Sequence, residues 1–187
     1  MKIREIIDAL ERFAPLPLQD DYDNSGLQVG TTGTEASGAL LCLDVTRRVV
    51  DEAIESGCNL IVSHHPLLFR PLQKLTDDSV GSIVMDAVKA DITIYACHTN
   101  LDNAAHGVNT KIADILGLTE TKPLDMHQDG NGAGLIGVLE QPLDEDKLLA
   151  QIKEKFDAAC IRHNGNIGRK IRTMAICGGS GAFLIDK

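Results

Sequence analysis

Apolar residues recur at helical spacing at the start of the chain. Ile3, Ile6, Ile7, Leu10 and Phe13 share one face, so residues 2–13 read as an amphipathic helix. Pro15 and Pro17 end it. Residues 20–38, rich in Asp, Gly and Thr, read as loop with a short strand at Leu27–Val29. The pattern then changes to short continuous apolar runs separated by helical spacing. Ala39–Leu43, Leu60–Val62 and Ile92–Ala96 are runs of the kind that form buried parallel strands. Between the first two, Val49, Val50, Ala53 and Ile54 mark a helix, with Thr46 as N-cap and Gly57 as its stop. Val80, Ile83, Val84, Ala87 and Val88 mark a second helix. A third starts near Gly107 and carries Val108, Ile112, Ile115 and Leu116. Gly134–Leu139 reads as a strand, and Asp144 caps a helix built on Leu148, Leu149, Ile152 and Phe156. Thr173–Cys177 reads as a further buried strand, followed by Gly178-Gly179-Ser180-Gly181.

This alternation predicts an α/β protein, a three-layer α/β/α arrangement around a largely parallel or mixed sheet. Strand, tight turn and helix start recur at 38–53 and at 171–186, a likeness of pattern more than of identity that hints at a duplication. The second copy is incomplete. After Leu43 the chain runs through a helix and a strand to reach His64, whereas Lys187 falls within the helix that should follow Cys177. The pattern thus divides the chain into a first α/β half at 1–130 and the start of a second at 131–187, and it reads as a shortened form of a longer protein.

Composition narrows the function classes. Of 187 residues, 43% are hydrophobic and 24% charged, which excludes a disordered chain and suffices for a sizeable core. The net charge of −9 opposes broad binding to nucleic acids or anionic membranes. No apolar run approaches the roughly 18 residues of a membrane span. Glu5 and Asp8 interrupt what would be the apolar core of a signal peptide. Cys42, Cys58, Cys97, Cys160 and Cys177 are odd in number and contain no C-x-x-C pair. They read as reduced core thiols of a cytoplasmic protein.

Candidate chemistry gathers at strand ends, where open α/β sheets bind their ligands. His64 and His65 follow the strand Leu60–Val62, His98 follows Ile92–Ala96, and Asp102 comes four residues later. Imidazole and carboxylate together suit Zn, Mn, Fe, Ni or Co. Successive side chains on a strand point to opposite faces. His64 and His65 therefore reach one site only if the strand ends there, and Pro66 supplies the break. Neighbouring imidazoles serve two ions more comfortably than one, but spacing alone leaves the pair open between a metal site and polar strand-end surface. His127 and His163 read as solvent-exposed loop residues, and Asp44 falls at an equivalent strand end near the site. Asp23-Asn24 reads either as cleft lining or as a turn. Arg169, Lys170 and Arg172 read as solvated surface, and the GGSG segment as a weak candidate for a phosphate loop.

Three segments, FAPLPLQDDYDNSGLQVG, LIVSHHPLLFRPL and YACHTNLDNAAHGVN, resemble the Nif-three-like dinuclear metal-binding family, the GTP cyclohydrolase I type 2 homologues. The S-H-H-P and H-T-N-L-D blocks carry most of the likeness. The resemblance implies that His64, His65 and Asp102 bind metal, with two divalent ions per subunit in the complete site. It also implies two intertwined α/β domains and a ring-shaped homohexamer. The family adds a His and, four residues later, a Glu near the C-terminus, and this sequence contains no such H-x-x-x-E. The implied activity is metal-dependent hydrolysis of a purine nucleotide such as GTP, with His98 as general acid or base. The alternative is a non-enzymatic metal-dependent ring that binds protein or DNA, the latter disfavoured by the negative charge.

Overall fold

The first helix, α1 (Ile3–Phe13), forms where the periodicity predicts and buries Ile3 and Ile7. The Glu5 side chain accepts from the Lys2 backbone N–H at 2.6 Å, satisfying a free donor at the helix start. The computed structural model describes residues 1–77, 79–126, 132–165 and 168–187. They fall into two compact units, Met1–Ala104 and Ala105–Lys187.

The first unit is built on a four-stranded sheet of β1 (Gly26–Val29), β2 (Ala39–Cys42), β3 (Leu60–Ser63) and β4 (Thr93–Ala96), in the order β1-β4-β3-β2. β2, β3 and β4 run parallel, joined through α2 (Arg47–Glu55) and α3 (Ser79–Lys89). β1 pairs antiparallel with β4, so the sheet is mixed. Alternating residues feed two cores. Ile61 and Ile94 pack with Val50, Ala53, Ile83 and Ala87 of α2 and α3 on one face. Leu60 and Tyr95 pack with Ile3 and Ile7 of α1 on the other. At α2 the Thr46 side chain accepts from the Val49 N–H, and Gly57 takes the left-handed φ of +67° that stops the helix.

β2 corrects an expectation. It is parallel as predicted but lies at the sheet edge, and Leu41 is 74% exposed because α1 covers Leu60 and Tyr95 and leaves β2 bare on that side. A continuous apolar run is thus no guarantee of burial.

The second unit departs further from the predicted pattern. A three-stranded antiparallel sheet joins β5 (Leu118–Met126), β6 (Gly132–Leu143) and β7 (Ile171–Ile176) in chain order. Helices α5 (Val108–Leu116) and α6 (Glu145–Lys155) flank it, and Ala113, Leu116, Leu118, Leu139 and Leu148 form its core. β5 escapes pattern reading because Thr119, Glu120, Thr121 and Lys122 are polar and exposed and Pro123 follows; Pro is tolerated because β5 is an edge strand. β7, expected to be buried, is the other edge, with Arg172, Thr173 and Ala175 exposed. After it comes only a short 3-10 turn, Ala182–Leu184, where the repeat pattern anticipates a helix. The boundary drawn at 130/131 falls between β5 and β6, which hydrogen-bond to each other inside this unit.

Among the described residues, no helix is long and apolar enough to cross a membrane. Of the five cysteines expected in the core, only Cys97 is buried; Cys42, Cys58 and Cys177 are partly buried and Cys160 is exposed.

Candidate metal centre

The site grows from the carboxyl ends of β3 and β4. His64 donates its backbone N–H to Cys42 O at 3.0 Å, and His65 donates to Leu43 O at 2.8 Å. Consecutive N–H groups of a regular strand point to opposite neighbours, so two in a row toward the β2 side mean that the backbone turns between them. That turn brings both imidazoles to one side, with ring centroids 4.9 Å apart. Pro66, which has no N–H, follows at once.

His98 enters from β4. Its N–H donates to the Asn100 side-chain oxygen at 2.9 Å, and a four-residue helix, α4 (Thr99–Asp102), begins directly after it. Asn100 is fully buried and donates to Ala14 O, pinning this turn to the end of α1. The His98 ring lies 5.3 Å from that of His64 and 5.6 Å from that of His65. One nitrogen of each ring falls within 4.8 Å of the others.

Each Nδ1 is already engaged. His64 Nδ1 bonds Cys97 O at 2.9 Å, His65 Nδ1 bonds Asp44 Oδ1 at 2.7 Å, and His98 Nδ1 bonds Asp23 Oδ1 at 2.7 Å. A carbonyl only accepts, so His64 Nδ1 donates and Nε2 keeps its lone pair. The two carboxylates select the same tautomer for His65 and His98. Such outer tethers are what metal-ligating histidines carry.

Asp23 is the most heavily bonded of these partners. Its Oδ2 accepts from the Ser25 hydroxyl at 2.8 Å, the Thr99 N–H at 3.0 Å and the Thr99 hydroxyl, while Oδ1 also takes the Asn24 N–H at 2.7 Å. Burial pushes its carboxyl pKa up. The hydrogen bonds from Thr99, His98, Ser25 and Asn24 outweigh that and hold it at about 2. It therefore stays an anion facing His98. Asp102 behaves oppositely. Burial raises its pKa, His64 and His98 pull it down, and Asp20 and Asp23 push it up again. Its Oδ1 lies 3.8 Å from His64 Nε2, so this carboxylate borders the histidine cluster.

Three Nε2 lone pairs beside a partly buried carboxylate form a donor set that fits a divalent transition ion. Of the sequence candidates, the structure brings His64, His65 and His98 into one cluster with Asp102 at its edge. His98, read from the sequence as an acid or base, stands among the prospective ligands. Asp44 and Asp23 orient rings. His106 and His163 are exposed, and His127 lies outside the described residues. The GGSG segment leads only into the three-residue turn, and its Gly178 N–H is taken by Asn109 Oδ1 at 2.8 Å.

The Duf34/NIF3 (NGG1p interacting factor 3) family matches residues 1–187. The chain belongs to that family. Among its NIF3 relatives, a "GTP cyclohydrolase 1 type 2 homolog" of Clostridium acetobutylicum is 35% identical over 191 residues, covering 100% of this chain and 71% of the relative. One of the same description from Lactococcus lactis is 38% identical over 192 residues, covering 100% and 73%. Among solved structures, Staphylococcus aureus hypothetical protein SA1388 superposes with TM-score 0.89 at 30% identity, over 98% of this chain and 73% of that one. A Bacillus cereus protein related to NIF3 gives TM-score 0.86 at 25% identity, over 97% and 77%.

Proposed function

We propose that this NIF3 protein is a divalent-metal hydrolase acting on a purine nucleotide such as GTP. The observation that carries the proposal is the histidine cluster, in which three separate partners tie the Nδ1 atoms and one nitrogen of each ring lies within 4.8 Å of the others. His64, His65, His98 and Asp102 would hold the metal. When bound, a divalent ion supplies Lewis acidity and lowers the pKa of water toward about 7.

The chain's own residues do the rest. Asp23 and Asp44 fix two rings and increase their basicity, and the Cys97 carbonyl fixes the third. Asp102, beside His64, would complete the ligand set as a carboxylate, the charged form that His64 and His98 favour against burial. His98 would hold the metal through Nε2, with Asp23 accepting from its Nδ1–H and fixing the ring, in place of the acid–base role read from the sequence. The proposal extends to two ions, with His64 and His65 on different ones. It also includes the homohexameric ring, the intertwined repeat and the cytoplasmic setting that the resemblance and composition imply. The names of the relatives point to GTP as the first nucleotide to try.

The test is metal content per subunit by mass spectrometry after gel filtration, paired with formate release from GTP. Wild type should carry divalent metal and release formate, and a His64→Ala/His65→Ala double variant should do neither. Metal binding with no nucleotide turnover, joined to DNA binding that falls steeply with salt, would replace the hydrolase with the ring-scaffold alternative.

A further inference from the structure

The chain has four Phe, two Tyr and no Trp. Two of these scarce rings sit exposed beside the histidine cluster. Phe69, 44% exposed, makes a T-shaped contact with His98 at 6.2 Å, and Tyr22, 60% exposed, makes one with Phe69 at 6.4 Å. Phe13, Phe156 and Phe183 are also exposed; what sets Phe69 and Tyr22 apart is that they adjoin each other and His98 as one continuous aromatic patch.

Both rings stand on segments that are clamped to each other. Leu68, next to Phe69, accepts from Asn24 Nδ2 at 2.6 Å through its carbonyl and donates its N–H to Gln28 Oε1 at 3.1 Å. The Tyr22 hydroxyl donates to Asp20 Oδ2 at 3.0 Å. Asp20 is itself held at the α4 turn, its N–H donating to Thr99 Oγ1 at 2.9 Å and its Oδ1 accepting from Asn103 Nδ2 at 3.3 Å. The stretch that supplies Asp23 to His98 therefore also supplies Tyr22 and the two side chains that fix the backbone beside Phe69. Neither contact stacks face to face, which leaves aromatic surface available to a third ring.

We infer that Phe69 and Tyr22 form a stacking wall for the planar heteroaromatic ring of the substrate, placing that ring against His98. The inference rests on the nucleotide reading above and makes it specific: the ring, and not only the phosphates, is held. Stacking on aromatic side chains tolerates any flat base, so the wall supplies position and affinity while leaving the choice between purines to other contacts.

Equilibrium dialysis of GTP and of inorganic triphosphate, each with zinc chloride, tests this, with metal per subunit measured on the same samples. Wild type should bind GTP about tenfold more tightly than triphosphate. Phe69→Ala and Phe69→Leu should erase that preference with metal content and melting temperature unchanged, whereas Tyr22→Phe, which keeps the ring, should preserve it. Equal binding of the two probes by wild type, no binding of GTP, or a GTP preference that survives Phe69→Leu would each overturn the wall. A ring preference that depends on Phe69 in protein holding no metal would leave the wall standing and remove the metal reading instead.

Discussion

The two units bury different things. In the first, Ser63, Thr93, Thr99, Asn100 and Asn103 are buried polar side chains, and several of them tie loops at the carboxyl ends of β3 and β4. In the second, Asn109 alone among the described residues is buried and polar, and the core is otherwise Ala, Leu and their apolar neighbours. A buried polar group is tolerable only when bonded, so each acts as a directional constraint that apolar packing lacks. The first unit uses such constraints to aim imidazoles; in the second, Asn109 holds the Gly178 N–H, and among the described residues no buried polar side chain aims a histidine.

Removing Asp23 should therefore have the largest consequence. Asp23→Ala strands the donors of Ser25, Thr99 and His98, and should lower unfolding free energy by about 3 kcal/mol and metal affinity by about 10–100-fold. Urea melts and competition with a chelator read the two effects. Leu148→Ala in the second unit should cost about 2–4 kcal/mol through its cavity, yet leave metal affinity where it was. A loss of affinity from Leu148→Ala would erase the contrast. Asp44→Ala should invert it. Asp44 is exposed and its carboxylate bonds His65 Nδ1, so metal affinity should fall about tenfold while stability moves by less than about 0.5 kcal/mol.

A further effect is in acid. Asp23 titrates at about 2 when folded against an ordinary 3.8, so its contribution is complete above about pH 4 and is lost as pH falls from there toward 2. Asp102, shifted the other way, opposes this: its contribution weakens as pH rises through its raised folded value. Urea melts of metal-free protein between pH 5 and 2 should show Asp23→Asn losing the acid-dependent part of wild-type stability. A wild-type midpoint flat across that interval would contradict the Asp23 assignment.

The sequence discloses the first unit well because its elements follow one rule each. Ile61 and Ile94 announce strands, Thr46 and Gly57 bracket α2, and Pro66 marks where β3 must stop. It discloses the second unit less well. β5 is an edge strand whose polar residues face water and whose identity comes from pairing with β6, a partner that no local pattern names. The same limit applies to the site. His64, His65, His98 and Asp102 stand out as residue types, whereas the Asp23–His98 bond joins positions 75 apart and depends on β1 pairing antiparallel with β4. By sequence alone Asp23 fits a turn as well as a cleft lining. Phe69 and Tyr22 carry no periodic signal, and nothing in the local sequence marks them.

The three tethers also differ in how they can be inherited. Two belong to aspartates, and a single codon change removes either. The third is the main-chain carbonyl of residue 97, which every amino acid supplies, so no substitution at that position deletes the acceptor. His64 is thus oriented by a group outside the reach of point mutation. Across diverging descendants of this chain, its ring orientation should drift least, with that of His65, held by one exposed carboxylate, free to drift most.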